Sequence, residues 1–255
     1  PAIVARVKDG VPFLCTDHGV YVRERYIALS QADMPMYSRR FLMRMAATFS
    51  KLCYRTSNIV SPVAKFNARW ELPFGVEEER IKVVYNGVDT DQFTPGTKQE
   101  EYQKRPIAVA AARVFPLKDI ETMIRAAAVT KKINPDILYL VYGSLNADPP
   151  YVEKCRALIE ELDVADSFVF GGFAPSAITL FHDGDISVLS SISEGFPYTI
   201  LEAMASGLAC VGTDVGGVRE AIGDCGVTVA PRDPQAFGEA VAELLSDLDH
   251  ARQLG

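Results

Sequence analysis

The stretch DISVLSSISEGFPYTILEAMASGLACVGT, residues 185–213, decides the fold that this sequence predicts. Two short apolar runs, ISVLS (186–190) and LACVGT (208–213), flank a segment with the pattern of a short helix. Strands that are apolar along their whole length and joined through a helix are typical of a parallel sheet buried on both faces. The stretch therefore predicts one strand–helix–strand unit of an α/β domain.

The helix of this unit is expected to form an anion site at its start. Pro197 suits its first position, and Gly207 suits the left-handed residue after its end. The opening N–H groups, contributed by Tyr198, Thr199 and Ile200, have no partner inside the helix and carry its positive dipole end. Such a turn and helix can bind a phosphate group.

Two glutamates and two basic residues complete the candidate site. Glu194 precedes the helix and Glu202 lies in it, so their carboxylates could accept hydrogen bonds from sugar hydroxyls. Arg113 and Lys118 stand where another predicted strand gives way to its helix, and both cations can reach one anion there. Two cations on a diphosphate would stabilise the charge that develops as its bond to a sugar breaks. These residues together favour a nucleotide sugar as the ligand.

The alternation of apolar runs and helical segments continues from residue 107 to about 247 and predicts one doubly wound domain. In such a sheet ligands bind at the carboxyl ends of the strands, where Gly143 and the loop of Ser190–Glu194 also fall. The predicted strands are 107–114, 137–143, 167–172, 186–190, 208–213 and 227–231, and the predicted helices are 118–133, 150–163, 198–206, 216–222 and 234–247.

Residues 1–93 are predicted to form part of a second α/β unit, joined to residues 107–255 by a polar linker at 94–106. This part holds too few strands for a complete Rossmann-like domain, so we expect the chain to lack the start of its N-terminal domain. His18 follows the first strand, and its imidazole could bond a sugar hydroxyl or a phosphate. The predicted elements are a strand ending within 12–19, a helix at 35–56, a strand at 58–61, a helix within 61–70 and a last strand within 80–89.

Composition excludes several classes of protein. The net charge of −7 is unevenly spread, with 13 Lys and Arg against 10 Asp and Glu in residues 1–93 and 13 against 23 in the remainder. This acidic balance argues against nucleic acid as a partner. The five cysteines are scattered without a CxxC pair, so we expect no metal site and reduced thiols in a cytoplasmic protein.

The segment MYSRRFLMRMAATFSKLCYR (36–55) mixes Arg39, Arg40 and Arg44 with apolar residues at helical spacing. A basic amphipathic helix of this kind could lie on an anionic membrane surface, which would make the protein peripheral at the inner membrane. The favoured interpretation is a helix that packs its apolar stripe on the sheet of the N-terminal domain.

Four segments of the chain resemble glycosyltransferase family 4 (GT4), whose members are retaining enzymes. SEGFPYTILEAMASG, with its glutamates eight apart, resembles the E-x7-E signature, and ARVFPLKD resembles the Arg and Lys phosphate pair. YNGVDTDQF (85–93) resembles the segment between the domains. TDHGVYVRERY (16–26) is similar to the subgroup of GT4 enzymes that polymerise the Pel exopolysaccharide. Pro197 stands where the common GT4 pattern has Gly, a departure that the Pel-like subgroup shares.

The resemblance implies a GT-B fold, with two facing Rossmann-like domains, and a retaining hexosyltransferase that uses a nucleotide sugar, UDP-glucose in our expectation, and a glycan acceptor. No cofactor and no metal is implied. By position, Glu202 would bind the ribose and Glu194 the donor sugar, while Arg113 and Lys118 would bind the diphosphate. The further residues implied at the substrate are Gly143, Phe173 beside the base, Gly195, Phe196, Tyr198, Thr199, Ile200, and His18 from the N-terminal domain.

Three other functions stay open. A nucleotide-sugar epimerase would share the diphosphate site, and an incomplete chain could bind nucleotide as a partner protein without catalysis. A NAD(P)-dependent oxidoreductase would fit the sheet, but no G-x-G-x-x-G follows any predicted strand.

Overall fold

The computed structural model of the protein describes residues 1–174 and 176–255, with every side chain in these ranges except that of Gln31. The chain forms two compact units. The first comprises Pro1–Asn86 together with Glu194–Phe196, and the second comprises Gly87–Ser193 together with Pro197–Gly255. None of the helices in the described ranges combines the length and the apolar character that a membrane span requires.

The first unit contains a two-stranded parallel sheet. Strands β1 (Leu14–Asp17) and β2 (Ile59–Pro62) pair in register, from Leu14 opposite Ile59 to Asp17 opposite Pro62. The helices of this unit are α1 (Ala2–Asp9), α2 (Tyr21–Gln31), α3 (Met36–Thr56) and α4 (Lys65–Glu71). The helix predicted at 35–56 and the strand predicted at 58–61 are confirmed, whereas α1 and α2 were not predicted.

The last strand predicted for the first unit, within 80–89, is wrong. Ile81 makes an isolated parallel bridge to Val60, and the N–H groups of Lys82 and Val84 donate to the carbonyls of Val60 and Pro62. Pro62 has no N–H to return a bond, so the ladder cannot continue along β2.

One face of α3 is exposed, and the expected packing on the sheet is found only near the end of the helix, where Tyr54 forms a small core with Val60 of β2. The side chains that α3 buries are Ala46, Ser50 and Tyr54. Arg39 is half-buried, and its guanidinium donates to the carbonyl of Ala32 at 2.9 Å. The exposed face, called here the α3 face, consists of Tyr37, Arg40, Phe41, Arg44, Met45, Phe49, Lys51, Leu52 and Arg55.

A polar pair lies buried in the first unit. Asn67 and Glu71, one helical turn apart on α4, are both 0% exposed. Their side-chain amide and carboxyl atoms find no hydrogen-bond partner among the described residues. Burial is the main reason that the pKa of Glu71 rises from 4.5 to about 8, and the nearby charge of Asp17 adds to it.

The second unit is built on a six-stranded parallel sheet in the order β5-β4-β3-β6-β7-β8. Its strands are β3 (Ile107–Ala111), β4 (Leu138–Tyr142), β5 (Phe168–Gly172), β6 (Ile186–Leu189), β7 (Ala209–Thr213) and β8 (Gly226–Val229). Its helices are α5 (Ile120–Ile133), α6 (Pro149–Glu161), α7 (Tyr198–Ala205), α8 (Val218–Ile222), α9 (Pro234–Ser246) and α10 (Leu248–Leu254). The six predicted strands and five predicted helices are confirmed, and α10 is an addition.

This strand order is that of a doubly wound sheet, whose direction of winding reverses between β3 and β6. The centre of the sheet is fully buried, with Ile107, Leu140, Ile186 and Val211 at 0% exposure. Loops that follow β3 and β6 therefore flank the switch point, the place where such sheets bind ligands.

Helix α7 begins at Tyr198, as predicted, but the position expected for Pro197 in it is wrong. Pro197 is not the first helical residue but the N-cap, with an extended backbone at φ −73° and ψ 120°. The fixed φ of proline is compatible with both the N-cap and the first helical position, so the sequence alone does not distinguish them. Gly207 has the predicted left-handed conformation, with φ 79°.

Candidate active site

The loop after β3 carries both predicted cations. It is fixed to the end of β4, because the N–H groups of Ala112 and Val114 donate to the carbonyls of Tyr142 (2.8 Å) and Ser144 (3.0 Å). Arg113, between the two anchors, is exposed, and its guanidinium carbon lies 5.0 Å from the centroid of the Phe115 ring. A flat guanidinium held over an aromatic ring keeps its N–H groups available for an anion.

Gly143 makes this anchoring possible. A Cβ at this position would collide with the carbonyl of Ala112, and φ is 152°. The N–H of Gly143 is engaged, since it donates to the carbonyl of Gly172 at 2.7 Å. Because Gly143 has no Cβ, the loop after β3 can lie against the end of β4. Its amide already has an acceptor and is not a donor for a ligand.

Lys118 ends a single 3-10 turn, Pro116–Lys118, and is half-buried. Asp119, the next residue, has φ 47°, which is unusual for a residue with a side chain. The carbonyl of Lys118 accepts the Ser190 hydroxyl at 2.9 Å. The N–H of Ile192 donates to Leu117 at 3.0 Å. The structure thus ties the lysine-bearing turn to the loop that follows β6.

The serines of the loop after β6 are buried in the structure. Ser190, Ser191 and Ser193 are at most 5% exposed. The Thr213 hydroxyl, at the end of β7, donates to the carbonyl of Ser191 at 2.5 Å. The sequence predicts these serines only as part of a strand end. In the structure they are buried, and the bond from Thr213 holds the loop that precedes α7.

Helix α7 begins without a side-chain cap. Tyr198 is 46% exposed, Thr199 is half-buried and Ile200 is 0% exposed. The side chain of Ile200 belongs to the core, so a ligand could reach only its backbone. N–H groups in the first turn of a helix have no intrahelical acceptor and favour a negative charge.

Glu202 lies one turn into α7 and is half-buried. Its carboxyl group makes no hydrogen bond or ion pair with the residues that the structure describes, and burial raises its pKa above the ordinary value. A carboxylate that has lost part of its water without gaining a protein partner is suited to accept hydrogen bonds from a ligand.

Phe173 follows Gly172 at the end of β5, where Gly172 has φ 67°. The Phe173 side chain is 86% exposed. A large aromatic ring left in solvent at a strand end offers a stacking surface. The ring lies at the carboxyl edge of the sheet, directly after the last residue of β5.

The remaining predicted residues make their contacts in the first unit. His18 is exposed after β1, and a Cβ on Gly195 would collide with the His18 carbonyl, so only glycine allows this approach. Phe196 is buried, and Glu194 is half-buried. The charge of Glu194, after burial and Asp17, contributes to a raised pKa of Glu24.

Asn86 binds the segment Glu194–Phe196 through a contact that the sequence analysis did not predict. Its side-chain amide donates to the carbonyl of Phe196 at 2.9 Å. The ring of the neighbouring Tyr85 lies 5.0 Å from the ring of Phe196. The only sequence signal for this contact was the resemblance of YNGVDTDQF.

The described residues contain no group of three or more His, Cys, Asp or Glu side chains arranged to hold a metal ion. The site of the second unit contains two cationic side chains, the first N–H groups of α7, which have no intrahelical acceptor, and the carboxylate of Glu202. This set can bind a phosphate group and a polyol side by side.

Two curated relatives align with nearly the whole chain. The D-inositol 3-phosphate glycosyltransferase of Acidothermus cellulolyticus is 27% identical over 95% of this chain and 56% of its own length. The MMP alpha-(1->4)-mannosyltransferase of Mycolicibacterium hassiacum is 27% identical over 97% of this chain and 60% of its own length. The chain thus spans little more than half the length of these relatives.

The structure is similar to that of Anabaena HepE, which has been solved in complex with UDP and with UDP-glucose. The TM-score is 0.80 at 20% identity, over 99% of this chain and 67% of HepE. This similarity confirms the predicted α/β fold of GT-B type. Residues 1–79 match a domain of unknown function, DUF3492, and residues 94–255 match the glycosyl transferases group 1. Because that second match covers more than half of the chain, the protein belongs to the glycosyl transferases group 1 family.

Proposed function

We propose that this chain forms the donor site of a retaining hexosyltransferase that moves glucose from UDP-glucose to a glycan acceptor. The observation that carries the proposal is the arrangement around the switch point of the second unit. There the turn of Lys118 is bonded to the loop after β6, and that loop leads to the uncapped start of α7 and to the unpartnered Glu202. The complex of HepE with UDP-glucose supports the choice of donor.

Each residue of the site has a role in this proposal. Arg113, Lys118 and the first N–H groups of α7 bind the diphosphate, Glu202 accepts hydrogen bonds from the ribose, and Phe173 borders the base. Glu194 contacts the donor sugar, and His18 approaches that sugar or its phosphate.

The reaction breaks the bond between the anomeric carbon and the diphosphate oxygen. The bond from that carbon to the acceptor oxygen forms on the same face, and the departing phosphate takes the proton of the acceptor hydroxyl. No protein nucleophile is needed, and Arg113 with Lys118 stabilises the leaving charge. We propose that these two cations do so without a metal ion or another cofactor.

The biological setting is also a proposal. The similarity of TDHGVYVRERY (16–26) to the Pel subgroup supports a place in exopolysaccharide biosynthesis. The cysteines that the structure describes are unpaired, which fits a reducing, cytoplasmic location.

Substitution of Glu202 by glutamine should weaken UDP binding by roughly 10- to 100-fold, because a hydrogen bond to a charged acceptor contributes about 1.5–3 kcal/mol. Isothermal titration calorimetry with UDP measures the change. Glu160→Gln, at an exposed acid on α6, is the matched control and should bind UDP like the wild type. Equal UDP affinity in all three proteins would remove Glu202 from the site.

The same protein samples separate the proposal from its alternatives. UDP binding without UDP release from UDP-glucose, in the presence of glycan acceptors, would favour a nucleotide-binding partner protein. Conversion of UDP-glucose into an isomeric UDP-sugar without a glycosylated product would favour an epimerase.

We further propose that the α3 face binds an anionic membrane. It presents four cations and five large apolar side chains, and no acidic residue occurs in α3. Exposed apolar residues among cations are the composition of helices that lie in a lipid interface.

The double change Phe41→Ser and Phe49→Ser should reduce co-sedimentation with phosphatidylglycerol vesicles by roughly tenfold or more, because two exposed rings that would enter the interface are lost. Ile133→Ser, at an exposed apolar residue of α5, should leave it unchanged. Binding to purely zwitterionic vesicles with equal strength would contradict the charge-based proposal.

A further inference from the structure

The turn that carries His18 is held by one carboxylate. Strand β1 ends at Asp17, whose Oδ1 accepts the N–H of Gly19 at 3.1 Å. The other oxygen, Oδ2, accepts the hydroxyl of Tyr54 at 2.6 Å. The backbone carbonyl of Asp17 accepts the N–H of Val63 at 3.1 Å. Asp17 and Gly19 are thus fixed on either side of His18, whose own side chain is exposed.

Tyr54 is a rigid donor in this arrangement. It is 8% exposed, and its ring packs edge-on against Phe74 with centroids 6.0 Å apart. Its backbone carbonyl accepts the guanidinium of Arg80 at 2.7 Å and the hydroxyl of Ser57 at 2.9 Å. The packed ring and the bonded backbone hold the hydroxyl within hydrogen-bond distance of Asp17.

The charges around the pair keep the proton on the tyrosine. Burial, then the charge of Asp17, raises the pKa of Tyr54. Burial also raises the pKa of Asp17, and the hydrogen bond from Tyr54 opposes that rise. Tyr54 therefore stabilises Asp17 as a carboxylate, the form that can accept both hydrogen bonds.

We propose that Tyr54 is a positioning residue for His18 and acts through the carboxylate of Asp17. Without the Tyr54 hydroxyl the Asp17 carboxylate loses one of its two hydrogen bonds. The turn from Asp17 to Gly19, which carries His18, is then held less firmly. The role of His18 on the donor rests on the proposed function, whereas the geometry of the turn does not.

Tyr54→Phe tests the geometry without any assay of activity. The chain has three histidines, so histidine labelled with ¹³C at Cε1 gives three ring signals in a ¹H–¹³C NMR spectrum. The signal of His18, identified by its loss in His18→Ala, should shift or broaden in Tyr54→Phe, while those of His182 and His250 stay in place. Tyr139→Phe is the matched control, because it removes a buried hydroxyl that is bonded to Thr130 at 2.8 Å in the second unit. An unmoved His18 signal in Tyr54→Phe would overturn the proposal.

Enzyme kinetics then tests whether the position of the His18 side chain affects sugar transfer. Tyr54→Phe should lower kcat with UDP-glucose by roughly 10- to 100-fold, the loss that a displaced group causes, with the donor KM within about twofold. In the His18→Ala background the same change should have no further effect, since its action passes through His18. An additive loss would show a general structural role and would overturn the proposal. Absence of turnover in the wild type would contradict the proposed function instead, and the NMR result would still decide the role of Tyr54.

Discussion

Replacement of Arg113 by alanine is expected to lower the kcat of sugar transfer by roughly 10²- to 10³-fold, the cost of losing one group that stabilises developing charge. The donor KM should change far less, because Lys118 and the N–H groups of α7 still bind the diphosphate in the ground state. The physical reason is that negative charge accumulates on the diphosphate as its bond to the sugar breaks, so the guanidinium interacts more strongly with the transition state than with the donor. Release of UDP from UDP-glucose, followed at saturating donor, measures this loss.

Two variants control this experiment. Arg125→Ala removes an exposed arginine from the outside of α5 and should retain the wild-type kcat. Arg113→Lys keeps the charge but loses the two-pronged donor and the contact with the Phe115 ring, so its kcat should fall between those of the wild type and Arg113→Ala. A kcat unchanged in Arg113→Ala, or a loss as large in Arg125→Ala, would remove Arg113 from the reaction.

The sheet of the second unit could be predicted because its strands are apolar along their whole length. Runs such as 107–114 and 186–190 favour strands of a sheet that is covered on both faces, and the structure buries all of Ile186–Leu189. Helix α2 could not be predicted in the same way, since YVRERYIALSQ places charges and apolar residues without a clear helical stripe. In the structure α2 packs against α3, and this contact between two segments is not contained in a local pattern.

The candidate site was partly predictable for a similar reason. Local patterns place Arg113, Lys118 and Glu202 at strand ends and at a helix start, and the structure has them there. The contact of Asn86 with Phe196 joins residues 110 positions apart, and no local pattern contains it. The burial of Asn67 and Glu71 was also not predictable, because polar residues on a short helix are normally placed on its solvent side.

Glu71 provides the second large expected effect, a loss of stability of the first unit as the pH rises. In the folded chain the pKa of Glu71 is about 8, whereas its ordinary value, which applies to the unfolded chain, is 4.5. Between these values the folded state binds more protons than the unfolded state, so the free energy of unfolding falls as the pH increases. The contribution of Glu71 is complete below pH 4.5 and decreases by at most about 1.4 kcal/mol per pH unit up to about pH 8. The cause is the cost of a charge on a fully buried carboxyl without a hydrogen-bond partner.

Glu71→Gln removes this titration and should therefore be more stable than the wild type at pH 8, with a smaller difference or the opposite order at pH 5. The chain has one tryptophan, Trp70, beside Glu71 on α4, so its fluorescence during urea unfolding reports on the first unit. Glu79→Gln, at an exposed acid in the same unit, should keep the pH dependence of the wild type. If Glu71→Gln and the wild type lose stability equally between pH 5 and pH 8, the buried carboxyl is ionised throughout that range, and a cation or ordered water must then compensate its charge.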